Sequence, residues 1–408
     1  MRRVPPVWLM GLSNATLGFS NGITFFVMPQ LMAAAHVPEL KIAAITAVAT
    51  SPNFWFVLFG PILDVRFSRR WYATLLAAMS GIAATTAVLS VRNLVVLAVA
   101  MVLCNASSVL SSSALGGWLS NITPTELKNP LSKWINIALV SGTGLIVAAG
   151  GEFVRRMPAG PAALLMGATV FLPATIFLFI PAPGPDRRIA GESFSQFNRE
   201  VLSLLRRREV VIVLLLFLSP CSSFVLPNLL GGLGADFHAS ARAVSLAGGV
   251  GAFIPGLLGC TLFPVIARRL RLRSFYFMNG VIGCFFTLSL VILPHTTSTF
   301  ALALLGEFFF QAICFSIQIG IVFEAIGPDN PLAATTFSFL TAATNVPVTY
   351  MTLIDGRAYS MAGITGTLFT DAGIGILTCT VAAVFLAKFE PRAAREGEDS
   401  VALPQEGS

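Results

Sequence analysis

Apolar stretches of about 20 residues follow one another almost without pause along this chain, and a bilayer core about 30 Å thick needs a helix of that length to cross it. Twelve such windows lie at residues 7 to 33, 41 to 63, 72 to 90, 94 to 119, 132 to 151, 161 to 181, 210 to 233, 243 to 266, 274 to 293, 299 to 325, 333 to 353 and 362 to 388. They are too long and too continuously apolar for barrel strands of about ten residues with alternating polarity, so helices are the remaining way to span. With 55% hydrophobic and only 11% charged residues, a soluble globular protein is excluded. The expected fold class is an all-α membrane protein of twelve transmembrane helices, with the lipid bilayer as its surroundings.

A net charge of +7 raises the question of nucleic acid, but the basic residues lie in short loops rather than on one face. Membrane topology accounts for them better. With a cytoplasmic N-terminus, only Lys41, Arg92, Arg155, Arg156, Arg242 and Arg357 of the 26 lysines and arginines fall outside. That asymmetry follows the positive-inside rule and, with an even span count, predicts a multi-pass protein of the inner cell membrane with both termini cytoplasmic. The opening MRRVPPVWLM has basic residues like those of a leader, but its apolar run is too long for one and holds Asn14 and Asn21. It reads as a first span. The six cysteines all fall inside spans and form no C-x-x-C pair, which points to packing rather than to a metal site or disulfide framework.

The longest hydrophilic interruption divides the spans six and six. This gives an N-terminal half (1–181), a cytoplasmic linker with an amphipathic helix (182–209), a C-terminal half (210–388) and a disordered tail (389–408). The loop LDVRFSRR after span 2 is echoed by ARRLRLR after span 8. Duplicated six-helix halves are a transporter architecture, with the substrate site near the midplane between them.

The stretch GPILDVRFSRRW, residues 60 to 71, resembles the signature of the major facilitator superfamily between its second and third helices. Gly60, Asp64, Arg69 and Arg70 match, and the basic residue that normally follows the acid is displaced to Arg66. The resemblance implies that Asp64 meets the N-terminus of helix 11 and holds the cytoplasmic side shut. The bland alternative makes Arg66, Arg69 and Arg70 simple topological anchors. FGPILDVRFSRRW, the 4–5 loop LSNITPTELKNPLSKW and residues 324 to 369 look like the branch containing the muropeptide permease AmpG and the acetyl-coenzyme A transporters. Span 5, SGTGLIVAAGG, departs from that branch by lacking an intramembrane arginine. It also lacks the Gly-Pro pair of the drug-antiporter signature.

An ionisable group deep in a span is costly and usually faces a cavity. Glu307 lies near the middle of span 10, and Gln311, Cys314 and Gln318 continue its helical face. A carboxyl there can carry a proton with substrate; lining the cavity without protonation and a structural hydrogen bond to a neighbouring helix are the other readings. Candidate substrate-cavity residues are Asn14, Asn21 and Phe25 in span 1, Asn105 in span 4, Asn136 in span 5 and Asn345 in span 11, although interhelical hydrogen bonds use the same residue types. Asp371 and Asp236 are weaker candidates near the outer surface. No cofactor, metal site or enzyme-like constellation is expected. The sequence thus predicts a secondary transporter, a proton-linked importer of a muropeptide-like solute, with export of a drug, lipid or metabolite, or a non-transporting sensor, as alternatives. The partners implied are a small-molecule substrate, protons and lipid, and no nucleic acid.

Overall fold

The computed structural model describes residues 5–64, 67–182, 199, 202–203, 206–222, 224, 226–230, 233–327 and 330–389. The amphipathic helix expected in the linker and the expected disordered tail fall almost entirely outside the described residues, and so does Arg66.

Helices dominate because a chain in hydrocarbon must satisfy its own backbone. Among the described residues, eight helical stretches are long and apolar enough to cross a membrane. They include α2 (residues 39–64), α3 (Arg69–Leu89), α4 (Leu94–Ile122), α5 (Thr125–Arg156), α6 (residues 159–178), α9 (Leu272–Val291) and α10 (Thr297–Ile326). The eighth, Ala333–Phe389, is two crossings joined at a kink where Gly363 takes φ 61, a left-handed geometry open to glycine. We treat them as α11 (residues 333–361) and α12 (residues 364–389).

The remaining three crossings, α1 (residues 7–34), α7 (residues 208–230) and α8 (residues 241–267), are interrupted. α1 breaks at Ser13–Asn14 and carries a π-turn at Ile23–Val27; α8 carries one at Ala247–Gly251. Where the sequence predicts one continuous span over 210 to 233, α7 stops at Leu218 and resumes at Leu226. Ser222 and Phe224 adopt left-handed φ of 55 and 47 between the two pieces. Protein groups satisfy this non-helical backbone. Cys314 Sγ donates to Ser222 O at 2.8 Å and Gln311 Nε2 donates to Phe224 O at 3.0 Å. Irregular backbone at membrane depth survives only where protein or a cavity covers it.

Caps and small residues set the frame. Asn93 and Thr296 accept from backbone N–H groups at the starts of α4 and α10. Gly11, Gly18 and Gly22 face α5 so closely that a Cβ on any of them would collide with that helix. Without a hydrophobic drive between helices in lipid, such close approach supplies the packing. All six cysteines are free and buried.

The apolar core has a revealing distribution. At the end carrying the α2–α3 and α10–α11 connections, one cluster joins both halves, including Leu63, Trp118, Phe323 and Phe337. Toward the opposite end are separate cores, one around Met28, Met101 and Met166 in the N-terminal half and one around Leu230, Phe300 and Leu368 in the C-terminal half. Among the described residues the largest shared core joins the halves at one end, with smaller contacts where α5 meets α8. Outward side chains such as Leu58, Val95, Leu164 and Val381 form an apolar exterior suited to lipid.

Candidate functional site

The weld is built around Asp64. α2 ends in a 3-10 stretch, Phe56–Asp64, which carries this buried carboxylate to the N-terminus of α11 in the other half. There Asp64 Oδ2 accepts from Thr335 N at 2.7 Å and from Thr335 Oγ1 at 2.6 Å, while Oδ1 accepts from Ala334 N at 3.3 Å. First-turn N–H groups have no partner within their own helix, and the helix dipole favours an anion beside them. Asp64 is thus a cap supplied in trans.

Arg69 completes the arrangement. Its Nε donates to Asp64 Oδ1 at 2.7 Å and its Nη2 to Pro331 O at 2.6 Å, with the side chain only 2% exposed. Asn121 Nδ2 on α4 donates to Asn330 O at 3.1 Å. Glycines allow the helices to meet: a Cβ on Gly117 would collide with the backbone of Ala334, and one on Gly60 would sit 2.9 Å from Ser338 Cβ. On the other side of the bundle α5 binds α10 through Lys128 Nζ to Phe323 O at 3.1 Å, Ser132 Oγ to Ser316 O at 2.5 Å and Asn136 Nδ2 to Phe315 O at 3.3 Å. All these bonds lie toward the welded end.

Beyond them, between the halves, lies a cavity of about 290 Å³. α1 contributes Asn21, Phe25 and Phe26, α5 contributes Thr143, and α10 contributes Phe308 and Gln311, with glycines of α5 and α8 keeping the walls thin. Gln311 also bonds the broken backbone of α7, so the interruption in α7 abuts the cavity wall. Discontinuous helices at mid-membrane mark binding sites in transporter folds.

The candidate residues therefore separate into groups. Gly60, Asp64 and Arg69 come together at the weld, and Arg70 is half-buried beside them in sequence. Asn21, Phe25 and Gln311 line the cavity. Asn136 and Asn345 instead bond across the halves, the latter through Nδ2 to Asn53 O at 3.3 Å. Asn14 and Asn105 are buried away from the cavity lining, and Gln318 faces Tyr276. Glu307 is not a cavity-lining residue: it turns into the C-terminal half, 1% exposed, where Oε1 accepts from Thr287 Oγ1 on α9 at 2.6 Å. Helical spacing put Glu307 and Gln311 on one face, but that face straddles the boundary between cavity and α9. Sequence reasoning did not single out Asn121, Asn330 or Asp355 for the site.

These features define a multi-pass membrane protein of two six-helix halves, packed against each other at one end around a central cavity. The fold is that of the major facilitator superfamily. The chain is similar to the proton:xylose symporter XylE bound to 6-bromo-6-deoxy-D-glucose, with TM-score 0.67 and 15% identity over 94% of this chain and 95% of that one. It is similar to the human organic anion transporter MFSD10, with TM-score 0.68 and 17% identity over 93% and 99%. It also resembles the transporter FucP in the outward conformation, with TM-score 0.70 and 13% identity over 93% and 99%. No family model and no curated protein matches the sequence.

Proposed function

We propose that this chain is a secondary transporter working by alternating access, seen with its cytoplasmic end shut and its cavity turned outward. The trans-cap of α11 by Asp64, with the bonds of α5 to α10 at the same end, carries this reading. Contacts gathered at one end can break together while the opposite ends close, which is how two packed halves rock about a midplane site. XylE is described as a proton symporter and FucP as outward-facing, in keeping with this state and with proton linkage here.

For the substrate we infer an amphiphile, with import of a muropeptide-like solute as the leading case. Asn21, Thr143 and Gln311 offer a few hydrogen-bonding groups in a wall otherwise made of phenylalanine, aliphatic and glycine residues. That apolar wall also supports a second reading, export of a hydrophobic drug or lipid. Glu307 serves as the proton-carrying group one helical turn from Gln311.

The deciding assay is uptake of labelled anhydro-muropeptide, and of apolar dyes, by proteoliposomes under an imposed pH gradient. Gradient-dependent muropeptide accumulation that disappears in Glu307→Gln supports import with Glu307 in the coupling step. Dye movement without muropeptide flux favours the exporter. Flux of neither, by protein that elutes as a folded species, removes the transporter reading for both solute classes.

A further inference from the structure

Three carboxyls in the C-terminal half lie at similar depth, well away from the Asp64 weld. Asp355 sits near the far end of α11, Asp371 about two turns past the kink in α12, and Glu307 about three turns into α10. The turn at Gly363 folds α12 back beside α11, and Thr367 Oγ1 fastens the two by donating to Asp355 O at 3.2 Å. Asp371 lies one helical turn beyond Thr367 on α12, so the bond from Thr367 to Asp355 O brings its carboxyl to the Asp355 side of the hairpin. On the other side, Gly375 leaves no room for a Cβ against Cys284 Sγ, which draws α12 onto α9. Asp371, one turn from Gly375, then shares its surroundings with Glu307 and Thr287.

Among the described residues no cation compensates these acids, and only Glu307 has a hydrogen-bond donor, Thr287. Asp355 is fully buried with neither carboxylate oxygen hydrogen-bonded, and Glu307 Oε2 has no partner either. Among the described residues no basic side chain pairs with any of the three. Arg357 is exposed and, two positions along the helix, points away from Asp355. The facing groups are Thr287 and Cys284 on α9, Glu307 on α10 and the acids themselves; the second piece of α7, Leu226–Leu230, brings the apolar Leu226 and Leu230 to the surrounding core. Two carboxylates side by side without a donor cannot both stay ionised; one proton shared between them resolves the conflict. A metal ion would need several oxygens converging on one point, and no such group of acids occurs among the described residues.

We propose that Asp355 and Asp371 form a proton-binding pair inside the C-terminal half, holding one shared proton that passes through Glu307 to and from the central cavity. Asp355 is the sealed end of this relay, Asp371 the half-buried middle and Glu307 the member one turn from cavity-lining Gln311. When the shared proton moves to the Glu307 carboxylate, the doubly charged pair left behind is the unstable state, so the pair draws a proton back at once. The passage through Glu307 rests on the proton-linked reading above; the shared proton does not.

The test is infrared difference spectroscopy of the purified full-length protein in lipid nanodiscs, stepping pH without substrate or gradient, so it can succeed or fail independently of any transport assay. The wild type should show the carbonyl stretch of a protonated carboxyl that titrates as pH is raised. Asp355→Asn should remove the part of that band that persists in Glu307→Gln; Asp371→Asn, at a less buried position, should do the same and serves should the first variant fold poorly. Glu307→Gln should keep the band but slow its appearance after a pH jump. A wild type without the band, or a band indifferent to both Asp variants, overturns the proposal. So does a rise in melting temperature with sodium over choline at fixed pH that Asp355→Asn removes, since the site would then hold a metal ion.

Discussion

Changing Asp64 to Asn keeps the shape of the side chain while removing the charge that binds the two halves. In the closed end this carboxylate accepts from Ala334 N, Thr335 N and Thr335 Oγ1 across the interface and from Arg69 within its own half. The Arg69 bond can persist when the end opens; the three contacts to α11 cannot. Hydrogen bonds to a charged acceptor contribute about 1.5–3 kcal/mol each, and water recovers much of this on opening. A differential of about 3 kcal/mol for the set is a reasonable magnitude, and at 1.4 kcal/mol per decade it shifts the closed-to-open ratio roughly 150-fold. The reporter is a cysteine at Ser338, buried behind Gly60, whose native hydroxyl has no hydrogen-bond partner to lose. Alkylation by a membrane-impermeant maleimide from the closed end, with the parent protein as background, should accelerate by about two orders of magnitude in Asp64→Asn. A rate within about twofold of the unsubstituted gate would refute the trans-cap as the element holding that end shut.

Gly117→Val should also open the gate, because its side chain meets the backbone of Ala334 rather than a movable tip; Ser338→Cys labelling should rise while the melting temperature falls by only a few degrees, about 1–3 kcal/mol being typical of overpacking. Gly144→Leu should fill the cavity beside Phe253 and abolish solute binding without changing gate labelling, as read by ligand-induced fluorescence and maleimide rate together. Lys128→Met should loosen the α5–α10 side of the weld by removing the donor to Phe323 O, giving a smaller rise in labelling than Asp64→Asn.

Span positions were readable because each crossing must offer about 20 apolar residues whatever its tertiary partners. The Asp64 motif was legible for a different reason: a charged cluster between two apolar runs has few places to go. Interior detail was less accessible. The break in α7 hides inside LSPCSS, where Pro220 gives a signal, but satisfaction of the freed backbone by Gln311 and Cys314 from α10 is tertiary. Asp355 was missed because a window of bilayer length ends span 11 at residue 353, whereas α11 continues to the kink at Ala362 and keeps the acid buried. The depth of Glu307 could be read from its position along the helix. Its direction, toward Thr287 rather than the cavity, depends on how α9 packs. Intramembrane asparagines were ambiguous from the start, and Asn136 and Asn345 prove to bond across the halves.

The central claim is that the weld and the far ends of the halves open alternately. Spin-label distances between Phe67 and Arg269, at the closed end, and between Arg92 and Ser298, at the opposite end, test it directly, since all four positions are exposed. In lipid nanodiscs, Asp64→Asn should lengthen the first distance and shorten the second within the same population. Lengthening of the first with the second unchanged would show fraying of one end, and would contradict alternating access.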